Sequence, residues 1–390
     1  MTTTSGSPEA AGPEPREATP FRFYDNRQKY LAFITTCNEK QVIAAKAAEQ
    51  IAQLRPTPPA LEIFDAGVGD ATVLSRLLRT VHREFPTMPL LVVGKEISLE
   101  DVRLALEKMP DRFHEHPHTV LAISNLRYID APLLHPSDPE EAARLSWHVE
   151  RLQGTSAAEF DEQIAALEPL LSEGWQTKPN PVTGNPVVVQ PSVLVLYRAD
   201  HEFLLDSVIP ERGADRREYD FILASQPWRA RMPAAFKAEK ILAPMARSLA
   251  PGGRLLTIQS WGRDPALEAV QRLWPGENPF QVDRHALLAA LEAELGPDAG
   301  DFDLTAPPDE DAIFEYRMHT LPSEIGDRIG TSTLFAAWNA VIYVNQIEDE
   351  QLEPVMRDGS YLQVMEDVLN EHNGLWFNDE AFVIVRKDVS

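Results

Sequence analysis

One short stretch of the chain combines an acid with small residues at a spacing that suits a nucleotide-like ligand. An apolar run ends in Asp65, Gly67 and Gly69 follow, and an apolar pattern of helical period begins at Val73. Residues without bulky side chains let backbone N–H groups and a helix N-terminus approach a ligand closely. The stretch therefore predicts a strand, a tight binding loop and a helix.

The acids of this loop disfavour a pyrophosphate ligand. A dinucleotide fingerprint needs a third glycine at the position of Thr72, and its phosphates would meet both Asp65 and Asp70. Two carboxylates suit a ligand that has an ammonium group at one end and a ribose at the other. The loop therefore predicts a nucleoside that carries an amine.

At this point the sequence resembles the class I S-adenosylmethionine-dependent methyltransferases, whose first motif is an acid followed by three glycines at alternate positions. Asp65, Gly67 and Gly69 match the motif, and Ala71 stands at the third glycine. The resemblance implies S-adenosylmethionine as cofactor and S-adenosylhomocysteine as product. It implies that Asp65, Gly67, Gly69 and Asp70 contact the cofactor.

Two further strand ends extend the predicted cofactor site. An apolar run at 89–96 ends in Glu96, where a carboxylate can accept hydrogen bonds from both ribose hydroxyls. The alternative for Glu96 is a solvated strand end. A third strand, 119–123, is followed by Ser124 and Asn125, which the resemblance places against the adenine amino group.

A fourth strand leads into the stretch Ser225-Gln226-Pro227-Trp228. In methyltransferases that act on amino nitrogens the corresponding motif is Asn, Asp or Ser, two prolines and an aromatic residue, and Gln226 replaces the first proline. The resemblance implies that Ser225, also a cofactor contact, and the Gln226 carbonyl orient an amine, while Trp228 stacks on it. The alternative is a proline-containing turn with a buried tryptophan. Adenine, glutamine amide, guanidine and aromatic amines all remain open as acceptors.

Other candidates for substrate contacts lie outside the motifs. The aromatic segment within 21–60 supplies a lid over the ligand or simply covers the sheet, since aromatic rings serve both purposes. Glu39 and His319 are candidate general bases, to be judged by geometry, and Trp261 follows the fifth strand. The candidates are Tyr24, Tyr30, Phe33, Glu39, Trp261 and His319.

The order of the elements indicates an α/β fold: a doubly wound, mostly parallel seven-stranded sheet with a reversed last strand. A turn at 249–253 leads into the fifth strand, and a late strand–helix–strand unit matches the reversed strand. An α/β insertion at 131–217 separates strands three and four and includes predicted helices at 139–152 and 157–171. We expect the insertion to build either the substrate pocket or a dimer contact. We expect a disordered tail at 1–20, an aromatic helical segment at 21–60, and the cofactor-binding domain at 61–130 and 218–390.

The amino-acid composition limits the classes of molecule that the protein is expected to bind. The 390 residues carry 60 acidic and 36 basic side chains, a formal charge of −24, which disfavours nucleic acid and anionic membranes. No apolar run approaches the roughly 20 residues that cross a bilayer, and one cysteine, Cys37, excludes a multi-cysteine metal site. We expect a cytoplasmic protein with a small-molecule acceptor, no metal, and a homodimer as one candidate assembly.

These observations predict a methyltransferase that acts on a nitrogen of a small molecule by direct in-line transfer. Two alternatives from other classes stay open. The chain could transfer the aminobutyrate arm of S-adenosylmethionine and release methylthioadenosine. It could also be a non-catalytic binding protein that has kept the methyltransferase fold.

Overall fold

The computed structural model describes residues 27–181, 186–213, 217–320, 324–325 and 329–388. Tyr24 and the predicted tail at 1–20 lie outside the described residues. The strands are β1 (Leu61–Asp65), β2 (Leu90–Lys95), β3 (Thr119–Ser124), β4 (Ser146–Leu152), β5 (Thr177–Pro179), β6 (Pro186–Val188), β7 (Ser192–Arg198), β8 (Tyr219–Ser225), β9 (Leu249–Ser260), β10 (Phe302–Asp303), β11 (Ile313–Arg317) and β12 (Trp376–Arg386).

The helices alternate with these strands over most of the chain. They are α1 (Arg27–Thr36), α2 (Glu39–Ile51), α3 (Thr72–Glu84), α4 (Leu99–Leu106), α5 (Met109–Glu115), α6 (Pro139–Arg144), α7 (Ala157–Ala165), α8 (Glu168–Gly174), α9 (Glu202–Leu205), α10 (Ala234–Lys237), α11 (Ala243–Arg247), α12 (Pro265–Leu273), α13 (Arg284–Leu295), α14 (Asp309–Ala312), α15 (Thr331–Val344), α16 (Asp349–Asp358) and α17 (Ser360–His372). A π-helical turn, Ala238–Leu242, joins α10 to α11. No described helix combines the length and the apolarity needed to cross a membrane.

The sheet confirms the predicted fold class. Its ten strands include the order β10-β12-β9-β8-β1-β2-β3-β7-β4, and β11 also pairs with β12. Strands β1, β2, β3, β8 and β9 are parallel, whereas β12 runs antiparallel to β9. The strand order changes direction at β1 and β8, and ligands of doubly wound sheets bind outside the carboxyl ends of the strands at such a point.

Both faces of the central strands are buried because helices cover each side of the sheet. In β1, Leu61 and Ile63 face a core shared with α2 and α3, while Phe64 faces the core formed with α11 and α13. This accounts for the continuous apolar runs in the sequence, which are typical of parallel strands. A third core lies under α1, α15 and α17 and includes Phe33 and Phe377.

The predicted helix at 139–152 is wrong in its second half. Asp138 caps α6 as expected, accepting hydrogen bonds from the backbone N–H groups of Glu140 and Glu141. The helix ends at Arg144, and the next residues form β4, which pairs in parallel with β7 from Ser146 to Leu152. Apolar side chains with short spacing fit either period, and pairing with a neighbouring strand decided the outcome. The insertion thus adds two strands to the sheet, since β7 pairs antiparallel with β3.

Candidate cofactor and substrate site

A cavity of about 570 Å³ opens at the carboxyl ends of β1, β2 and β8. This volume lies within the usual range of small-molecule sites. Most of the predicted site residues line it: Tyr30, Phe33, Glu39, Asp65, Gly67, Gly69, Asp70, Glu96, Ser225, Gln226 and Trp228. The structure does not bring Ser124, Asn125, Trp261 or His319 to the cavity wall. Nothing is described at Tyr24.

The loop after β1 keeps its backbone close to the cavity. Gly69 has a φ of +52°, and a β-carbon added there would lie 3.1 Å from the Tyr30 hydroxyl. Ala71 has a φ of +57°, the left-handed conformation that a glycine at the third motif position would adopt more easily. Helix α3 begins at Thr72, directly after this turn. The loop therefore presents backbone N–H groups and a helix N-terminus to a ligand.

The two loop acids have opposite environments. Burial raises the pKa of Asp65 to about 6, although the Gly67 N–H at 3.1 Å and the charge of Lys40 lower it. Burial acts in the same direction on Asp70, but hydrogen bonds from Thr72 and the charge of Lys108 at 3.2 Å hold its pKa below the usual range. The Asp70 carboxylate is thus occupied by partners within the protein, Thr72 and Lys108. The Asp65 carboxylate has fewer partners and can accept hydrogen bonds from a cationic ligand.

Glu96 connects the end of β2 to the loop after β1. Its Oε1 accepts hydrogen bonds from the backbone N–H groups of Ile97 at 2.7 Å and Ser98 at 2.8 Å, and its Oε2 accepts one from Gly69 at 3.0 Å. A carboxylate oxygen can accept two hydrogen bonds, so Oε2 retains capacity toward the cavity. Trp175, from the insertion, donates to the Glu96 carbonyl at 2.8 Å and lines the same wall.

Lys40 is a site residue that the motifs did not indicate. Its Nζ lies 3.7 Å from Glu39 Oε2 and 5.5 Å from the centre of the Tyr30 ring. Burial alone would lower the pKa of Lys40, but the surrounding Tyr30, Glu39, Asp70 and Asp65 raise it. Lys40 is therefore a fixed positive charge in the part of the cavity next to Asp65.

The cavity carries an excess of negative charge. Six carboxyl-bearing residues line it, against two lysines. The acids are Glu39, Asp65, Asp70, Glu96, Glu100 and Asp101, and the bases are Lys40 and Lys95. Nζ of Lys95 lies 4.3 Å from the centre of the Tyr128 ring, and burial lowers the pKa of this lysine. Such a site favours ligands with positive charge and disfavours phosphates.

The loop after β8 has a backbone that the family motif does not predict. Gln226 has a φ of +50°, which a proline, fixed near −65°, cannot adopt. Its side chain donates to Ser260 Oγ and Asp379 Oδ2, both at 3.1 Å. The role of the Gln226 carbonyl as a hydrogen-bond acceptor for the amine therefore does not follow from the motif, because Gln226 has a backbone conformation that the proline of the motif cannot adopt. The side chain of Gln226 instead ties the loop to β9 and β12.

Trp228 is held firmly beside this loop. Its Nε1 donates to Gln259 Oε1 at 2.9 Å, and the Lys237 ammonium lies 5.2 Å from its ring centre. The ring is 8% exposed and forms part of the cavity wall. The Trp228 ring thus packs in the core and also faces the cavity. A buried tryptophan in a proline-containing turn and a ring that stacks on an amine are therefore compatible descriptions of this residue.

Ser124 and Asn125, the predicted adenine contacts, lie at the end of β3 and are buried inside the protein. The Asn125 amide donates to the carbonyls of Gly174 at 2.8 Å and Gln190 at 3.0 Å, and its oxygen accepts from the Ser192 N–H. Ser124 is fully buried. Asn125 therefore anchors the insertion to β3, and insertion residues such as Trp175 cover the cavity at this place.

Two other predicted substrate residues lie away from the cavity. Trp261 stacks with the Arg263 guanidinium, which lies 4.5 Å from its ring centre. His319 is exposed, and its backbone N–H donates to the Thr36 carbonyl. Two residues of the predicted aromatic segment, Tyr30 and Phe33, do line the cavity, and the Phe33 ring lies 4.9 Å from that of Tyr343 in the same wall.

One group of carboxylates and histidine in the described part of the chain is compact enough to share a metal ion. It consists of Glu268, Glu371 and His372. Arg272 forms ion pairs with both glutamates, and His372 Nε2 lies 2.8 Å from Glu268 Oε2. The group lies outside the residues that line the cavity.

Comparisons with known proteins found solved structures of similar fold at low sequence identity. No protein-family model matches the chain, and no curated protein matches it. Its fold is similar to a candidate sarcosine dimethylglycine methyltransferase from Galdieria sulphuraria, with 9% identity, coverage of 90% of this chain and 85% of the other, and a TM-score of 0.36.

Two other solved structures show a similar likeness. A cyclopropane synthase from Mycobacterium tuberculosis has 11% identity, coverage of 94% and 97%, and a TM-score of 0.33. Phosphoethanolamine N-methyltransferase 2 from Haemonchus contortus, bound to S-adenosylmethionine, has 9% identity, coverage of 88% and 53%, and a TM-score of 0.29.

Structural similarity at these TM-scores supports no conclusion about the substrate. The fold itself is assigned from the order and direction of the strands. The parallel strands β3-β2-β1-β8-β9, followed by an antiparallel β12, match the doubly wound, mostly parallel sheet with a reversed last strand that the sequence predicts. The acid and the glycines stand in the loop after β1, as the first motif requires. This chain has the class I S-adenosylmethionine-dependent methyltransferase fold.

Proposed function

We propose that this chain is an S-adenosylmethionine-dependent methyltransferase that methylates a nitrogen of a small molecule. The observation that carries the proposal is a single cavity that joins the loop after β1, the Glu96 carboxylate and the loop after β8. The first two features suit a nucleoside with an amino acid end. The loop after β8, with Ser225 and Trp228, forms another wall of the same cavity, and the methyl acceptor would bind there.

The polar groups of the cavity match the parts of S-adenosylmethionine. Asp65 would hold the ammonium group, and Lys40, close to Asp65, would hold the neighbouring carboxylate. Glu96 would accept hydrogen bonds from the ribose hydroxyls through Oε2. Ile97 and Trp175, on the wall beside Glu96, would enclose the adenine ring.

The charge of the cavity supports both the cofactor and a nitrogen acceptor. Six acids against two lysines favour a sulfonium and an amine over a phosphate or a carboxylate ligand. Aromatic rings beside these acids add to the effect, since a ring face attracts a cation. Such rings in the cavity wall include those of Trp228, Phe33 and Tyr343.

The bound cofactor supplies a methyl group on a positively charged sulfur, which is a good leaving group. The residues of the chain contribute alignment and exclusion of water. The Ser225 hydroxyl would hold an N–H of the acceptor, and the fixed Trp228 ring would pack against its flat surface. Glu39, buried in the wall with a pKa raised by that burial, would receive the proton that an ammonium acceptor must lose before its lone pair can react.

The test is product analysis with a panel of small aromatic and aliphatic amines. Protein, S-adenosylmethionine and each amine are incubated, and S-adenosylhomocysteine and the methylated amine are measured by mass spectrometry. We expect turnover with at least one amine, lost in Trp228→Ala and kept in the matched Trp261→Ala. Methylthioadenosine as the product would indicate transfer of the aminobutyrate arm. Binding of the cofactor without any product would favour a non-catalytic binding protein.

A further inference from the structure

The sheet ends in a strand whose outer edge is available for pairing. β4 pairs with β7 on one side, and the described part of the chain places no strand on its other side. The strand is seven residues long. An edge of this length carries unpaired N–H and C=O groups and is a template for another strand, unless it is protected.

Exposed apolar side chains are concentrated in the insertion that carries this edge. Most of the exposed large apolar residues among those described belong to the insertion or adjoin it: Ile129, Val149, Val187, Val189, Phe203 and Leu204. Val149, in the middle of β4, is 38% exposed, and Phe203 is 92% exposed. Soluble monomers rarely gather exposed apolar side chains in one region, and such patches mark interaction sites.

The apolar residues flank β4 at both of its ends. Arg144, just before the strand, donates to the Val189 carbonyl at 3.3 Å, which places Val189 at the start of β4. Arg151, near the end of the strand, forms an ion pair with Glu202, which directly precedes Phe203 and Leu204. The edge therefore has an apolar flank at each end and Val149 at its centre.

We propose that two copies of this chain pair along β4, antiparallel, about a two-fold axis that passes through Val149. In this register His148 lies opposite Glu150 of the second copy, and Trp147 lies opposite Arg151. Both pairs occur twice because the interface is symmetric. The His148 imidazole and the Glu150 carboxylate, 3.3 Å apart within one strand, meet their counterparts in the second copy. A guanidinium meets an aromatic ring and two valines meet at the axis, so each cross-strand pair is favourable.

Other registers lose this complementarity. An axis through Glu150 would place two carboxylates opposite each other, and an axis through His148 would do the same for two imidazoles. A shift of the pairing by one residue would also bring the opposite faces of the strands together. Among the axes near the middle of β4, which pair most of the strand, the charges thus favour the one through Val149.

Antiparallel pairing also brings the two flanks together. The start of β4 in one copy faces the end of β4 in the other, so Val189 approaches Phe203 and Leu204 of the second copy. The contact is made twice and covers the most exposed apolar side chain of the described residues, Phe203. The inference is independent of the proposed catalytic function, because none of these residues lines the cavity.

The oligomeric state of the full chain tests the proposal. Sedimentation velocity over a wide concentration range should show a species of twice 43.6 kDa for the wild type. Val149→Lys places two ammonium groups at the axis and should give a monomer with an unchanged melting temperature. Met356→Lys is the matched control, since Met356 is exposed on α16, and should stay dimeric.

A charge exchange tests the register. His148→Glu places two carboxylates opposite each other twice and should weaken the dimer at least tenfold. In the double variant His148→Glu/Glu150→His, an imidazole again lies opposite a carboxylate, so the wild-type dissociation constant should be restored. A monomeric wild type overturns the proposal, and so does a Val149→Lys variant that remains a dimer. A double variant that is no tighter than His148→Glu overturns the register.

Discussion

Replacing Asp65 by asparagine should make the empty protein more stable and impair cofactor binding. Asp65 is 3% exposed, and burial raises its pKa from 3.8 to about 6. At 1.36 kcal/mol per pKa unit, keeping this group ionised at neutral pH costs the folded state about 3 kcal/mol. Asn keeps the shape and an oxygen that can accept from the Gly67 N–H. Since it loses the attraction to Lys40, we expect a gain of about 1 to 3 kcal/mol.

The pH dependence of this gain follows from the raised pKa. The carboxylate of Asp65 destabilises the folded chain most at pH values above about 6, where both folded and unfolded states are ionised. As the pH falls from about 6 toward 3.8 the folded state takes up its proton first, and the penalty disappears. The advantage of Asp65→Asn should therefore be full at pH 8 and absent near pH 4. Urea unfolding at both pH values measures it.

Asp70→Asn is the matched control in the same loop. Thr72 and Lys108 hold the pKa of Asp70 below its usual range, so this substitution should lower the stability at pH 8. In calorimetric titrations Asp65→Asn should bind S-adenosylmethionine roughly 10- to 100-fold more weakly than the wild type, since it lacks the charge that meets the ammonium. An Asp65→Asn protein that is less stable than the wild type at pH 8 would refute the reasoning on burial, and unchanged affinity would refute the assigned role.

Three other substitutions test separate parts of the site. Glu96→Gln should weaken S-adenosylhomocysteine binding roughly tenfold or more by titration calorimetry, because it loses a charged acceptor for the ribose hydroxyls, whereas the exposed Glu107→Gln should not. Lys40→Met should weaken S-adenosylhomocysteine about tenfold but leave methylthioadenosine, which lacks the amino acid, unaffected; an equal loss for both would contradict a carboxylate contact. Gln226→Pro should lower the free energy of unfolding by about 3 kcal/mol, measured in urea, because proline cannot adopt a φ of +50°.

The parts of the site that the sequence predicted are those encoded by a few neighbouring residues. The acid and glycines after β1 require only a local turn, and Glu96 requires only a strand that ends in an acid. Parallel strands bring such ends to one edge of the sheet, so their proximity follows from the fold. The reversed β12 was predicted for the same reason, since an ordered series of motifs fixes the topology.

The parts that could not be predicted depend on contacts between distant segments. Lys40 belongs to no motif, and its position near Asp65 results from the packing of α2 against one face of the sheet. Asn125 was assigned to adenine by its position after β3, yet the insertion uses its amide as an anchor. Gln226 replaces the first proline of the motif, and neither its positive φ nor its side-chain hydrogen bonds to Ser260 and Asp379, far along the chain, follow from that position.

The measurement that tests the central claim most directly is calorimetric titration of the wild-type protein with S-adenosylmethionine, S-adenosylhomocysteine and NAD. The acid-lined cavity with one ribose acceptor predicts binding of both sulfur nucleosides, at one per chain, and no binding of NAD. Binding of NAD, or the absence of any heat with both sulfur nucleosides, would contradict the assignment of the cavity and the function proposed from it.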